Sequence, residues 1–296
     1  MNQHQITSKT KLVGLIGWPV ETSLNTAMHN AAFAQLGIDW ACVPLPVQPK
    51  YLEQALKGLV ALNFVGANVI APHRQALMRY MDKLSQVARI TGAVDTIHIQ
   101  DGKFYGYDTD ASGIVSTLKE AGCDPKDMRV AILGAGGPAR AAIFSLALAK
   151  AACITVLNCT SERAAFLVDD LAPAFPGSRL TFKLLNTENL VTLSSELDLV
   201  INTTTLGRRS RRDACPWPAD VAIPAKAIFY DLVYNPLKTV FLQRAREAGA
   251  KTIDGLGMLI HQGAFAFKRW TGQDAPVEVM RQVCLQELAL DDLRLN

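Results

Sequence analysis

Short apolar runs of strand character alternate with stretches of helical period from one end of the chain to the other, the pattern of an α/β fold. "KLVGLIGWPV" predicts a strand entering a turn, "NTAMHNAAFAQLG" a helix closed by Gly37, and "WACVPLPV" a second strand. A helix follows around "YLEQALKGLVAL", then a strand in "VGANVIAP" and a helix from about 74 to 90. "AVDTIHIQDGKFYGYDTD" predicts a hairpin turning at Asp101-Gly102, a dipeptide suited to the positive φ angles of a two-residue turn. Beyond "STLKEAG" the text changes: "MRVAILGAGGPARAAIFSLALAKAACITVLNCTSERAAFLVDDLA" reads as strand, glycine turn, helix, strand and helix. "LDLVINTTTLG" and "KAIFYDLVYNP" supply two more buried strands, "TVFLQRAREAGAKTIDG" a helix and a short strand, and the last 40 residues one or two amphipathic helices.

This organisation predicts two domains: 1–110, completed by the returning segment 255–296, and a glycine-turn domain over 111–254. Composition adds limits. With 49% hydrophobic and 19% charged residues in 296, the chain can bury a substantial core. No stretch reaches the roughly 18 uninterrupted apolar residues of a membrane span, and the polar start "MNQHQITSKT" lacks the apolar core of a signal peptide; the expected compartment is the cytoplasm. Six scattered cysteines form no CxxC pair and no metal-ligand spacing, so they read as reduced packing residues, and no metal is expected. A net charge of +3 does not argue for nucleic acid. The one basic cluster, "GRRSRRD" at 207–213, reads either as a solvated loop or as a contact for phosphate or carboxylate.

The glycine turn carries the clearest chemistry. Gly134, Ala135, Gly136, Gly137 and Pro138 lie between a strand and a helix, where a tight backbone can approach a pyrophosphate and a helix N-terminus offers N–H donors. Ala139 takes the place of the last glycine, which the tolerant form of the motif permits. At the tip of the next strand an acidic residue selects NAD and a basic one NADP. In "VLNCTSERA" the strand ends at Asn158 and no acid stands at the tip, Glu162 coming late, while Arg163 and the hydroxyls of Thr160 and Ser161 suit a phosphate. NADP is therefore the expected cofactor, with NAD still open.

The blocks "GWPVETSLNTAMHN", "GANVIAPHR", "GAVDTI", "GYDTDASG", "GAGGPARA", "NCTSERA", "INTTTLG", "YDLVYNP" and "DGLGMLIHQGAFAFKRWTG", in this order, resemble the shikimate/quinate dehydrogenase family over essentially the whole chain. The resemblance implies a substrate-binding α/β domain with a mostly parallel sheet, a Rossmann domain, and reversible hydride transfer between a nicotinamide and a ring hydroxyl of a shikimate- or quinate-like acid. It places Arg74 where the family has a proton-relaying lysine, and Asp110 on that lysine's aspartate partner. Ser23, Asn25, Ile70, Asp95, Tyr234 and Gln262 fall on the positions of substrate contacts, and Leu232 and Gly255 join the cofactor set. The departures are chemical. Arg74 cannot release a proton, because the guanidinium pKa lies above about 12; Ile70 replaces a threonine, Asn25 a serine, Asp95 and Asp108 asparagines, and Cys159 an arginine.

These departures leave two readings. One is a dehydrogenase acting on a ring acid, with Asp110, water or His73 managing the proton while Arg74 anchors. The other is a weak or inactive relative that binds dinucleotide or a ring acid as a sensor or partner protein. His29 is read as a core or capping histidine, and Asp95 and Asp108 as either pocket acids or turn caps. A monomer or homodimer is expected, without nucleic acid or membrane.

Overall fold

The computed structural model describes residues 6–293. The strands are β1 Lys11–Gly17, β2 Trp40–Pro46, β3 Gly66–Val69, β4 Lys83–Leu84, β5 Thr96–Gln100, β6 Lys103–Tyr107, β7 Arg129–Leu133, β8 Cys153–Asn158, β9 Arg179–Leu184, β10 Leu199–Asn202, β11 Ile228–Asp231 and β12 Lys251–Ile253. The helices are α1 Asn25–Gln35, α2 Leu52–Ala61, α3 Gln86–Thr91, α4 Asp110–Glu120, α5 Gly137–Leu148, α6 Ser161–Leu171, α7 Thr187–Ser194, α8 Val240–Glu247, α9 Leu256–Thr271 and α10 Val277–Leu293. They fall into two compact units, Met1–Thr109 with Ile260–Asn296, and Asp110–Leu259.

The first unit holds a parallel-rich sheet in the order β2-β1-β3-β5-β6-β4. β1 pairs in parallel with β2 and β3, while β5 runs antiparallel to both β3 and β6. Asp101 and Gly102 close the β5–β6 hairpin with φ of 52° and 70°, the doubly left-handed turn that matches strand twist. Period-2 alternation sends Ala67 and Val69 of β3 into a core with Leu52, Leu56, Leu59, Leu77 and Ile97. It turns Asn68 to the opposite face, where α1 and α9 stack Phe33 on Phe267 at 5.1 Å and Trp270 against His29 at 5.1 Å.

The helix expected from about 74 to 90 is not continuous. A 3₁₀ turn at Ala76–Tyr80 gives way to extended Met81 and to β4, and α3 begins anew at Gln86. Sheet pairing breaks the helical run: Asp82 N–H donates to Phe104 O at 2.9 Å, and the Asp82 carboxylate accepts the Phe104 N–H at 2.8 Å. Ser85 then caps α3, its side chain accepting the Ala88 N–H at 3.1 Å.

The second unit is doubly wound. Read from β9, its sheet order is β9-β8-β7-β10-β11-β12, and every pair is parallel. This is the 3-2-1-4-5-6 arrangement of the dinucleotide-binding fold, whose ligands bind at the carboxyl ends of the strands near the reversal of order, here between β7 and β10. Its core packs Trp217 edge-on to Phe229 at 5.5 Å, with Phe241 at 5.3 Å from the same ring. β9 and α7 were not anticipated, although Leu180, Phe182 and Leu184 do alternate. Phe182 and Leu184 are exposed on this edge strand, which weakens the apolar signal. No helix among the described residues is long and apolar enough to cross a membrane.

Candidate active site

In the first unit, one buried polar network links most of the expected substrate residues. Asn68, 2% exposed, accepts on Oδ1 from His29 Nε2 at 2.8 Å, and its Nδ2 donates to Thr96 Oγ1 at 3.1 Å. Asp95 is also buried, and both its oxygens are engaged by Thr109, through the backbone N–H at 2.6 Å and the hydroxyl at 3.0 Å. The carboxylate therefore holds the turn that leads to Asp110, as a cap does. Gln262 is 3.4 Å from the same Thr109 hydroxyl, and its Nε2 donates to Asn25 Oδ1 at 3.3 Å. Asn25 in turn donates to Ser23 Oγ at 3.3 Å. A serine oxygen that accepts from Asn25 keeps its own proton for an outside acceptor such as a carboxylate.

Arg74 is half-buried, and its Nε donates to Val69 O at 3.1 Å, which fastens the guanidinium to the end of β3. Ile70 lies four residues earlier, packed so closely over Gly17 that a Cβ there would be 2.3 Å from Ile70 Cγ1. It presents a methyl surface where the resemblance has a hydroxyl. His73 is 1% exposed and its Nε2 is 2.7 Å from Val47 O, the packed arrangement of a structural histidine. His29, fully buried among aromatic rings, has its pKa lowered to about 4, since burial disfavours the cation more than the Asn68 bond favours it. It stays neutral at physiological pH. Thr96, Thr109 and the His29–Asn68 link were not singled out in advance; Thr109 sits between two acids that drew the attention.

The second unit supplies the glycine turn. Gly134 has φ +110°, its N–H donates to Leu157 O at 2.8 Å, and a Cβ there would lie 2.7 Å from Thr203 Oγ1. Only glycine satisfies all three. Gly136 stands at the N-cap of α5 with no side-chain cap, and Pro138 occupies the first turn. A Cβ on Gly137 would meet nothing within 4 Å, so a phosphate can reach the backbone N–H groups of this helix end, where the dipole favours it. The residues present fit a dinucleotide.

At the tip of β8, Asn158 Nδ2 donates to Thr160 O at 2.9 Å. Cys159, Thr160 and Arg163 are exposed around the uncapped start of α6. Gly255 N–H donates to Val233 O at 3.3 Å, and a Cβ on Gly255 would be 2.5 Å from Leu232 O, so these two backbones lie in direct contact. Tyr234 is half-buried beyond them, and Asp110 is buried as the first residue of α4. The basic cluster forms a 3₁₀ turn at Arg209–Arg211, tied by the Arg209 N–H to Asn235 O at 3.2 Å.

Family models agree with this architecture: the shikimate dehydrogenase substrate binding domain matches residues 15–97, and the shikimate 5'-dehydrogenase C-terminal domain matches 255–285. A shikimate dehydrogenase (NADP(+)) from Moorella thermoacetica is 46% identical over 282 residues, 94% of each chain. A shikimate 5-dehydrogenase from Listeria monocytogenes, solved in complex with shikimate and NAD, superposes with a TM-score of 0.89 at 34% identity, covering 94% of this chain and 98% of its own. A 5-ketofructose reductase from a Gluconobacter strain superposes at 0.83 with 30% identity, covering 95% and 99%. A relative of such identity along nearly its whole length, joined to a doubly wound unit with an open glycine turn, leaves one assignment: the chain belongs to the shikimate dehydrogenase family.

Proposed function

We propose that the protein is an NADP-dependent oxidoreductase that exchanges hydride with a ring hydroxyl or ketone of a shikimate- or quinate-like carboxylic acid. The observation that carries this reading is the open glycine turn at the order reversal of an all-parallel 3-2-1-4-5-6 sheet. The name of the Moorella relative supports NADP and the ring acid. When bound, the nicotinamide supplies the hydride acceptor. Gly134, Ala135, Gly136, Gly137 and Pro138 hold the pyrophosphate, Asn158, Thr160 and Arg163 the adenosine phosphate, and Leu232 with Gly255 the nicotinamide end. Ser23, Asn25, Tyr234 and Gln262 orient the carboxylate and ring oxygens against the apolar face of Ile70, while Asp95 fixes the turn before Asp110.

Oxidation removes a hydride from the carbinol carbon and a proton from its hydroxyl. Arg74 keeps its proton and so holds an oxygen in place, with Asp110 receiving the hydroxyl proton directly or through water. His73 is committed to Val47 O and takes no part. The protein works in the cytoplasm as a monomer or homodimer, without nucleic acid.

The test follows nicotinamide absorbance with NADP⁺ or NAD⁺ and shikimate, quinate or an amino-substituted analogue from pH 7 to 10, with 5-ketofructose and NADPH as the reductive control. Turnover of a ring acid with preference for NADP⁺ is expected, and Arg74→Lys should raise kcat by about 10²-fold or more as a titratable relay returns. No turnover of any acid by either form, with NADPH binding intact, would replace this reading by that of a sensor. Reduction of the ketose alone would move the substrate out of the acid class.

A further inference from the structure

A second buried polar cluster lies wholly within the second unit, at the carboxyl ends of β10 and β11. Asp231 is 0% exposed. Its Oδ1 accepts from Asn202 Nδ2 at 2.9 Å and from Val233 N–H at 3.0 Å, and its Oδ2 accepts from Thr239 Oγ1 at 2.7 Å. Asn202, equally buried, accepts on Oδ1 from both the N–H and the hydroxyl of Thr204 at 2.9 and 2.7 Å, and its Nδ2 reaches Leu206 O at 3.3 Å. Thr239 also caps α8 through Leu242 N–H at 3.3 Å. One carboxylate and one amide thus anchor two loops, 203–207 and 232–239.

Those loops are the walls beside the glycine turn and beside Gly255. Thr203 Oγ1 donates to Leu133 O at 2.8 Å and occupies the space a Gly134 Cβ would need. Leu232 O likewise fills the space of a Gly255 Cβ. Burying a carboxylate is unfavourable unless its oxygens are well satisfied, and here they accept from Val233 and Thr239 of one loop and from Asn202 at the end of β10, whose own amide oxygen holds Thr204 of the other. An apolar pair would fill the core without that penalty but would leave the loop N–H groups unheld.

We propose that Asp231 is a positioning residue: by holding loops 203–207 and 232–239 against the glycine turn and Gly255, it sets the affinity for the dinucleotide without touching it. This rests on the dinucleotide-binding reading above. Asp231→Asn removes the charge and replaces one acceptor oxygen by an N–H₂ group, so that the Thr239 hydroxyl must turn from donor to acceptor, with little change of shape. NADPH affinity, measured by fluorescence titration, is expected to fall about tenfold, with KM for NADP⁺ rising more than kcat falls. Amide exchange in the free protein should quicken at Thr204 and Val233 while β7 and β8 stay protected. Should that variant fail to fold, Thr239→Ser is expected to keep wild-type affinity and loop protection, and Thr239→Val to lose both. Unchanged affinity despite faster loop exchange would overturn the proposal, as would unchanged exchange, or a uniform loss of protection in which Thr239→Ser fares no better than Thr239→Val. Absence of NADPH binding by the wild type would instead remove the dinucleotide reading, and the proposal with it.

Discussion

A histidine with no exposure to water must choose between its charge and its burial, and His29 gives up its charge. Its pKa falls from 6.5 to about 4 because burial outweighs the stabilising bond to Asn68. Between those values the unfolded chain binds a proton that the native protein refuses, so native stability decreases as pH falls from 6.5 towards 4. The loss from this group amounts to on the order of 3 kcal/mol once both states are protonated. Asp231 acts in the opposite sense: its pKa is raised from 3.8 to about 6, chiefly by burial, so the native state gains relative stability as that group protonates below about pH 6. His29→Gln keeps an N–H for Asn68 without titrating. The advantage of wild type over this variant, read from urea midpoints at pH 7 and pH 4.5, is expected to shrink by roughly 2 to 3 kcal/mol; an equal difference at both pH values would mean that His29 is not the neutral buried group described.

Among the elements, the strand-turn-helix unit of β7 and α5 is the one most constrained by a single position. Gly134→Ala would combine a φ of +110° with a Cβ 2.7 Å from Thr203 Oγ1 and 3.0 Å from Thr204 Cγ2. A loss of about 1 to 3 kcal/mol in stability is expected, measurable as a lower melting temperature, together with weaker NADPH binding as the loop is pushed aside. Wild-type values of both would show that the turn is not fixed by this contact. That turn was legible from sequence because its demands are local: glycines between an apolar run and a helical period, with Pro138 at the helix start. The Asp101-Gly102 hairpin was legible for the same reason. The stretch from 74 to 90 was not, since the pairing of Lys83 with Tyr105 and the Asp82 bonds to Phe104 come from residues some 20 positions away. The expected site residues divide in the same way: Ser23, Asn25 and Gln262 were assigned by motif, whereas the turning of Asp95 onto Thr109 and the joining of Asn202 to Asp231 depend on which strands become neighbours.

At the scale of the whole chain, the two units differ in how they are assembled. Residues 110–259 form one continuous segment with its own six-stranded sheet and its own aromatic core of Trp217, Phe229 and Phe241. The other unit is discontinuous and is sealed by the returning helices. Trp270 Nε1 donates to Ile97 O at 2.9 Å, and its ring fills the space that a Cβ on Gly66 would need. Met280, Cys284 and Leu288 of α10 are buried in the same unit, which includes α1. Removing 260–296 therefore exposes the Phe33 and His29 face of α1, a loss comparable to several large-to-small core substitutions of about 3 kcal/mol or more each. The fragment 110–259 is expected to melt cooperatively on its own and to retain NADPH binding, while 1–109 alone shows no cooperative transition by circular dichroism. A single chain in which 260–296 is linked ahead of 1–109 should recover one. A cooperative melt by 1–109 alone would show that the first sheet does not depend on the helices that return to cover it.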